Sequence, residues 1–159
     1  MQSADQSSVK ACFVLILALI LVAGSAPADS NRLLPQDNNF EVMGKENPNT
    51  LVFVHGLDSS ANTFAVIAGV LSQNFRVVVY DQRGHGRTIP KGLDYSPSVM
   101  AEDLETLRQY LGIERFAIYG HSLGARTALA YANRYPNRVS AFIAEDMEFF
   151  ARINKKKKK

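Results

Sequence analysis

Apolar side chains in this chain fall into short uninterrupted runs separated by amphipathic stretches. Residues 51–54 (LVFV), 77–80 (VVVY), 116–119 (FAIY) and 139–144 (VSAFIA) form such runs, several rich in β-branched residues. Runs of this length suit strands covered on both faces, as in a parallel sheet. Residues 40–43 are a candidate for one earlier strand. Between the runs lie helical patterns. Residues 61–73 place Phe64, Ile67, Val70 and Leu71 at spacings of three and four, which predicts one buried face. Ser96 and Pro97 form an N-cap and first-turn pair, Gly112 is a stop signal, and Met100, Leu104, Leu107 and Leu111 make the stripe between them. A third helix over 123–135 is rich in Ala and Leu and ends before Pro136. Parallel neighbours require crossovers of this kind, so the pattern predicts an α/β chain. The expected architecture is a mostly parallel sheet with flanking helices in three α/β/α layers.

The ends of the chain have a different character. Residues 11–24 (ACFVLILALILVAG) are apolar or small throughout, yet this run of 14 is shorter than the roughly 20 residues that span a bilayer as a helix. Lys10 precedes it, and Gly24, Ser25, Ala26 and Ala28 follow. This layout predicts a signal peptide over residues 1–28, cleaved after Ala28 with Ser25 as the rival position, and a secreted or extracytoplasmic protein. An uncleaved leader anchoring the chain to a membrane is the alternative. Cys12, the only cysteine, falls inside the leader, so a processed chain would have no disulfide and no cysteine nucleophile. Residues 29–39 are polar and punctuated by proline, and read as a linker; residues 40–150 carry the alternating pattern.

Charge reinforces this division. The formal net charge of +3 is a property of the ends, because five lysines close the chain at 155–159. Between Asp29 and Asn154 two Lys and ten Arg face fourteen acids, a net of −2, which removes the case for a nucleic-acid partner. The tail at 151–159 is expected to lie outside the fold. A translated run of adenines and a polybasic patch for anionic surfaces are its two readings.

Chemistry-bearing residues follow the predicted strands directly, where α/β sheets place their functional loops. They are His55-Gly56-Leu57-Asp58, Asp81-Gln82-Arg83-Gly84-His85-Gly86, Gly120-His121-Ser122-Leu123-Gly124 and Glu145-Asp146. Gly-x-Ser-x-Gly between an apolar strand and an Ala-rich helix is specific, because that turn is sharp and strained. Its glycines leave space where side chains would collide, and the serine is lifted clear of the sheet.

Through HGLDSS, DQRGHG and GHSLGA the chain resembles the α/β-hydrolase family over residues 40–150, and the resemblance implies a domain truncated at its C-terminal side. The resemblance implies that Ser122 is the nucleophile and that the backbone N–H groups of Leu57 and Leu123 form the oxyanion hole. It implies a small-molecule or lipid ester substrate, no cofactor and no metal, with membrane contact only through an uncleaved leader. His55 and His85 match bracing positions, and Asp81 and Arg83 read as a loop-fixing pair or a solvated turn. The family's histidine comes after the nucleophile, and no histidine follows Ser122 in these residues. Asp146 is preferred over Glu145 as the acid, the alternative being that both are carboxylates on the rim of the site. Strand 139–144 would be left as an exposed edge. The reading is therefore the N-terminal portion of a secreted, esterase- or lipase-like serine hydrolase, inactive by itself for want of a histidine. Haloperoxidase, C–C hydrolase and amidase chemistry, and a non-catalytic binding fragment, are the alternatives.

Overall fold

The structure, a computed structural model, describes residues 33–89 and 91–147. The expected signal peptide, residues 29–32 of the linker, residues 148–150 and the tail lie outside these. Five strands form one sheet: β1 (Phe40–Met43), β2 (Thr50–Val54), β3 (Arg76–Tyr80), β4 (Phe116–His121) and β5 (Val139–Glu145). Their order is β1-β3-β2-β4-β5, with β1 antiparallel to β3 and the other pairs parallel. The crossovers are α1 (Ala65–Leu71), entered through a 3-10 turn at Ala61–Phe64, α2 (Pro97–Tyr110) and α3 (Leu123–Arg134).

Alternation along the strands sorts side chains into two cores. Val52, Val54, Val78, Tyr80, Phe116 and Ile118 meet Leu104 and Leu107 of α2 and Ala128 and Tyr131 of α3. On the opposite face Phe53, Val77 and Val79 meet Ala61, Phe64 and Ala68. The sheet is thus covered on both sides, and the three-layer α/β/α expectation holds. Each large apolar side chain buried in this way contributes about 1.5–3 kcal/mol. The cap signals of α2 act as expected: Ser96 Oγ accepts the Val99 N–H at 3.4 Å, and Gly112 turns the chain at φ +62°.

Two expectations change. Across α1 and the 3-10 turn before it, Ile67 and Val70 are 50 % and 62 % exposed, and the buried positions are Ala61, Phe64 and Ala68, with Leu71 half-buried. The sheet there is lined by Phe53 and Phe64, whose rings stand 4.8 Å apart, and small residues let the helix approach them. Fit against these rings, rather than side-chain size, decides which face of α1 is buried. Residues 33–39, expected as linker, pack as a strap. Leu33 is fully buried, and Asn39 gives its side-chain N–H to Asp81 at 2.7 Å. Strand β5 has one partner among the described residues, and its Phe142 and Ile143 are exposed.

The buried face of α1 can be tested by urea unfolding. Ala68→Leu should cost about 1–3 kcal/mol through overpacking, whereas Ile67→Lys should stay within about 0.5 kcal/mol of the parent. Equal effects would contradict this orientation of the helix.

Candidate active site

Ser122 stands between β4 and α3 with φ +52° and ψ −113°. A non-glycine residue in this region carries about 1–3 kcal/mol of strain and persists only where its surroundings fix it. Here both neighbouring elements fix it. The Ser122 N–H donates to the Glu145 carbonyl at 2.9 Å, and its own carbonyl accepts from Ala125 N–H at 3.0 Å. The glycines permit the approach. A Cβ on Gly120 would lie 2.5 Å from the Gly124 carbonyl oxygen, and one on Gly124 would lie 2.5 Å from the His55 carbonyl oxygen. The first turn of α3 therefore rests on the carboxyl ends of β2 and β4, with Ser122 at its N-terminus.

The loop after β2 lies against this elbow, since a Cβ on Gly56 would come within 3.3 Å of Ser122 Cβ. Leu57 and Leu123 are the next residues along each chain segment, and neither backbone N–H donates to another described residue. Ser122 Oγ likewise makes no hydrogen bond to a described residue. Two N–H donors without a described acceptor, a helix N-terminus and an unengaged hydroxyl make an arrangement that can stabilise negative charge developing beside Ser122.

Three strand-end loops brace the elbow. His55 is fully buried; its Nε2 accepts the Gln82 N–H at 3.0 Å, so Nδ1 carries the proton and donates to the Gly56 carbonyl at 2.8 Å. Burial, the largest influence, pushes its pKa below the ordinary 6.5, assisted by His85, whose ring centroid is 5.2 Å away. His55 is thus a neutral strut. His85 Nδ1 engages the Arg83 carbonyl at 3.0 Å. Asp81 and Arg83, expected as a pair, fix the loop through separate partners. Asp81 accepts the N–H groups of Ala61 (2.7 Å) and Arg87 (2.9 Å), while Arg83 pairs with Asp103 of α2 at 2.6 and 2.8 Å. Burial opposes the Asp81 charge, but its N–H donors outweigh it and hold the pKa below the usual carboxylate value.

Sequence reasoning missed Gln82 and Thr127. Gln82 Nε2 donates to the His55 carbonyl at 2.7 Å, and its Oε1 accepts from Thr127 Oγ1 of α3 at 2.8 Å, so one side chain ties three elements together. The available signal was Thr127 itself, a fully buried hydroxyl in an Ala-rich helix. Asp103 was readable in the same way, as an acid on the apolar stripe of α2.

Beyond β5, Asp146 has φ +51° and lies 3.9 Å from His121 Nε2, with its carboxylate largely exposed. Glu145 is engaged by the Tyr119 hydroxyl. Of the two acids, Asp146 is therefore the one without a close hydrogen-bond donor among the described residues. Among the described residues no group of three or more His, Cys, Asp or Glu could hold a metal ion.

The family model for the alpha/beta hydrolase fold matches residues 49–154, and the chain belongs to that family. It is 38 % identical over 96 residues to a Cronobacter turicensis protein named as a carbamate hydrolase, RutD, covering 58 % of this chain and 35 % of that one. A marine microorganism esterase superposes with TM-score 0.65 at 34 % identity, covering 70 % of this chain and 41 % of its own. A thermophilic esterase from Thermogutta terrifontis gives 0.65 at 29 %, covering 67 % and 39 %. The chain thus spans about a third of the length of the curated relatives it matches.

Two measurements test the bracing. Gly124→Ala sets a methyl against backbone carbonyls and should cost more than about 3 kcal/mol, whereas Gly112→Ala, in open space at positive φ, should cost about 1 kcal/mol. Because His55 binds its proton more weakly folded than unfolded, the unfolded state holds more protons below about pH 6.5, and stability falls as pH drops from there toward the folded pKa. His55→Asn should remove this component of the slope, which urea titrations at pH 5 to 7 would read; an unchanged slope would contradict the neutral strut.

Proposed function

We propose that this chain carries the nucleophilic half of a secreted serine hydrolase that cleaves carboxylic esters, lipid esters included. The observation that carries the reading is the strained Ser122 with an unengaged hydroxyl beside the free N–H groups of Leu57 and Leu123. Ser122 Oγ attacks the acyl carbonyl, the carbonyl oxygen becomes an oxyanion held by those two donors, and the alcohol leaves. Water then attacks the acyl-enzyme and releases the acid. Each donor is worth about 3 kcal/mol of barrier. The two esterases among the structural neighbours support the substrate class.

The proton from Ser122 needs an acceptor, and the three histidines are differently employed. His55 and His85 are committed to loop contacts, and His121 makes no hydrogen bond to Ser122. We infer that the base comes from outside these 159 residues, with Asp146 as the carboxylate that orients it. The similarity to a protein named as a carbamate hydrolase favours a second reading on the same elbow, in which an amine rather than an alcohol leaves.

A fluorophosphonate probe tests the assignment. The 159-residue chain should label at least about 100-fold more slowly than an active esterase, the loss expected without a general base, and Ser122→Ala should abolish what remains. Fast, Ser122-dependent labelling would overturn the missing-base reading. A longer chain with a histidine after β5 should hydrolyse p-nitrophenyl acetate. If it instead cleaved only the corresponding carbamate, the second reading would replace the first.

A further inference from the structure

Each of the parallel strands after β2 is entered through an arginine. Arg76 opens β3, Arg115 immediately precedes β4, and Arg138 immediately precedes β5. An open cleft of about 560 Å³ lies at this amino end of the sheet, and Arg76 and Arg115 both line it. Ser122 follows the opposite end of β4, about 20 Å from Arg115 along the strand.

The protein's own contacts use only part of each guanidinium group. Arg76 Nη2 donates to the Leu111 carbonyl, at the end of α2, at 3.0 Å. Arg115 Nε and Nη2 both donate to the Val139 carbonyl, at 3.2 and 3.1 Å. These bonds cap a helix and tie β4 to β5, and they hold one edge of each fork in place. Nη1 of both residues has no acceptor among the described residues, and Arg76 Nε, although buried, has none either. A cationic donor buried without an acceptor carries a desolvation cost that an incoming oxygen atom would relieve. Around the two arginines, Asn49 and Ser140 add an amide and a hydroxyl that no described residue engages, and Phe75 and Ile113 add apolar surface. Among the described residues that line the cleft, Glu114 is the only acid, against two guanidinium groups.

Guanidinium forks pair with the oxygens of carboxylates and phosphates. The volume falls within the range of small-molecule sites, about 300–1,000 Å³, and is more than an inorganic ion fills. We propose that this cleft binds a small organic anion, with its carboxylate or phosphate held by Arg76 and Arg115 and its apolar body against Phe75 and Ile113. The site is remote from Ser122 and does not rest on the esterase reading. Only one consequence does: an acid of the kind that ester hydrolysis releases belongs to this ligand class.

The test is a titration of the 159-residue chain with benzoate, phenyl phosphate, benzamide and inorganic phosphate, followed through the NMR shifts of backbone amides. Benzoate or phenyl phosphate should move the amides of residues 112–117 saturably, with a Kd of about 1 mM or lower, and the tighter of the two identifies the head group. Neutral benzamide should not bind. Arg115→Gln should weaken binding about tenfold, the effect of losing one charge-assisted hydrogen bond. Glu114→Gln, at an exposed position, should strengthen it about twofold, a gain that a loss of folding cannot imitate. Absence of saturable shifts, equal binding of benzamide, shifts confined to residues 55–58 and 121–124, or an affinity that neither substitution changes would overturn the proposal. Inorganic phosphate binding as tightly as the aromatic anions would also overturn it, because the cleft would then hold a simple ion. Binding is read without turnover, so this site and the esterase reading fail separately.

Discussion

The approach of α3 to the ends of β2 and β4, closer than a methyl group allows, is the constraint on which the site depends. Gly120 and Gly124 make it sterically accessible, and the packing of Ala128 and Tyr131 into the core makes it favourable. With the helix seated there, the single residue between strand and helix has no extended or helical option and is driven to positive φ. Strain, exposure of the hydroxyl and the alignment of the helix dipole on it are thus three results of one packing decision. The same contact brings the His55-Gly56 turn against the elbow and leaves the next N–H on each side without an acceptor.

Rigid loops at a sheet end need polar ties, and these ties are buried. His55, Gln82 and Thr127 satisfy one another across β2, β3 and α3, and Asp81 collects N–H groups that would otherwise be stranded. A buried pair such as Arg83–Asp103 adds little net stability over an apolar substitute, but removing one partner costs about 3–5 kcal/mol. Its effect is positional. It fixes the loop after β3 to α2, and through Asp103 it also fixes Leu33 of the N-terminal strap.

These structural roles explain which parts of the molecule are legible in the chain. The central strands are legible because a sheet buried on both faces demands continuous apolar runs, and the elbow because a strained turn demands glycine on each side of Ser122. Helix α1 and the 3-10 turn before it mislead because fit against the Phe53 and Phe64 rings puts Ala61 and Ala68 inside, while Val66, Ile67 and Val70 face outward. The strap at 33–39 is hidden by its composition: prolines and amides read as linker, although Asn39 and Leu33 each fill a specific place. Pairings over long sequence distance, such as Gln82 with Thr127, leave only the trace of a polar residue on an apolar face.

The elbow and the end of β5 are not independent. The Ser122 N–H bonds to the carbonyl of Glu145, the residue paired with His121 in the β4–β5 ladder, and Asp146 follows at once in a left-handed conformation. With Asp58 after β2, the non-glycine residues at positive φ among the described residues all sit beyond the carboxyl ends of parallel strands. Strain of this kind is tolerated only where neighbouring hydrogen bonds over-determine the backbone. At the end of the β4–β5 ladder the bond from the Ser122 N–H to the Glu145 carbonyl supplies this for Ser122, and Asp146 follows directly on that carbonyl. The spacing between the backbones of Ser122 and Asp146 is therefore set by the sheet.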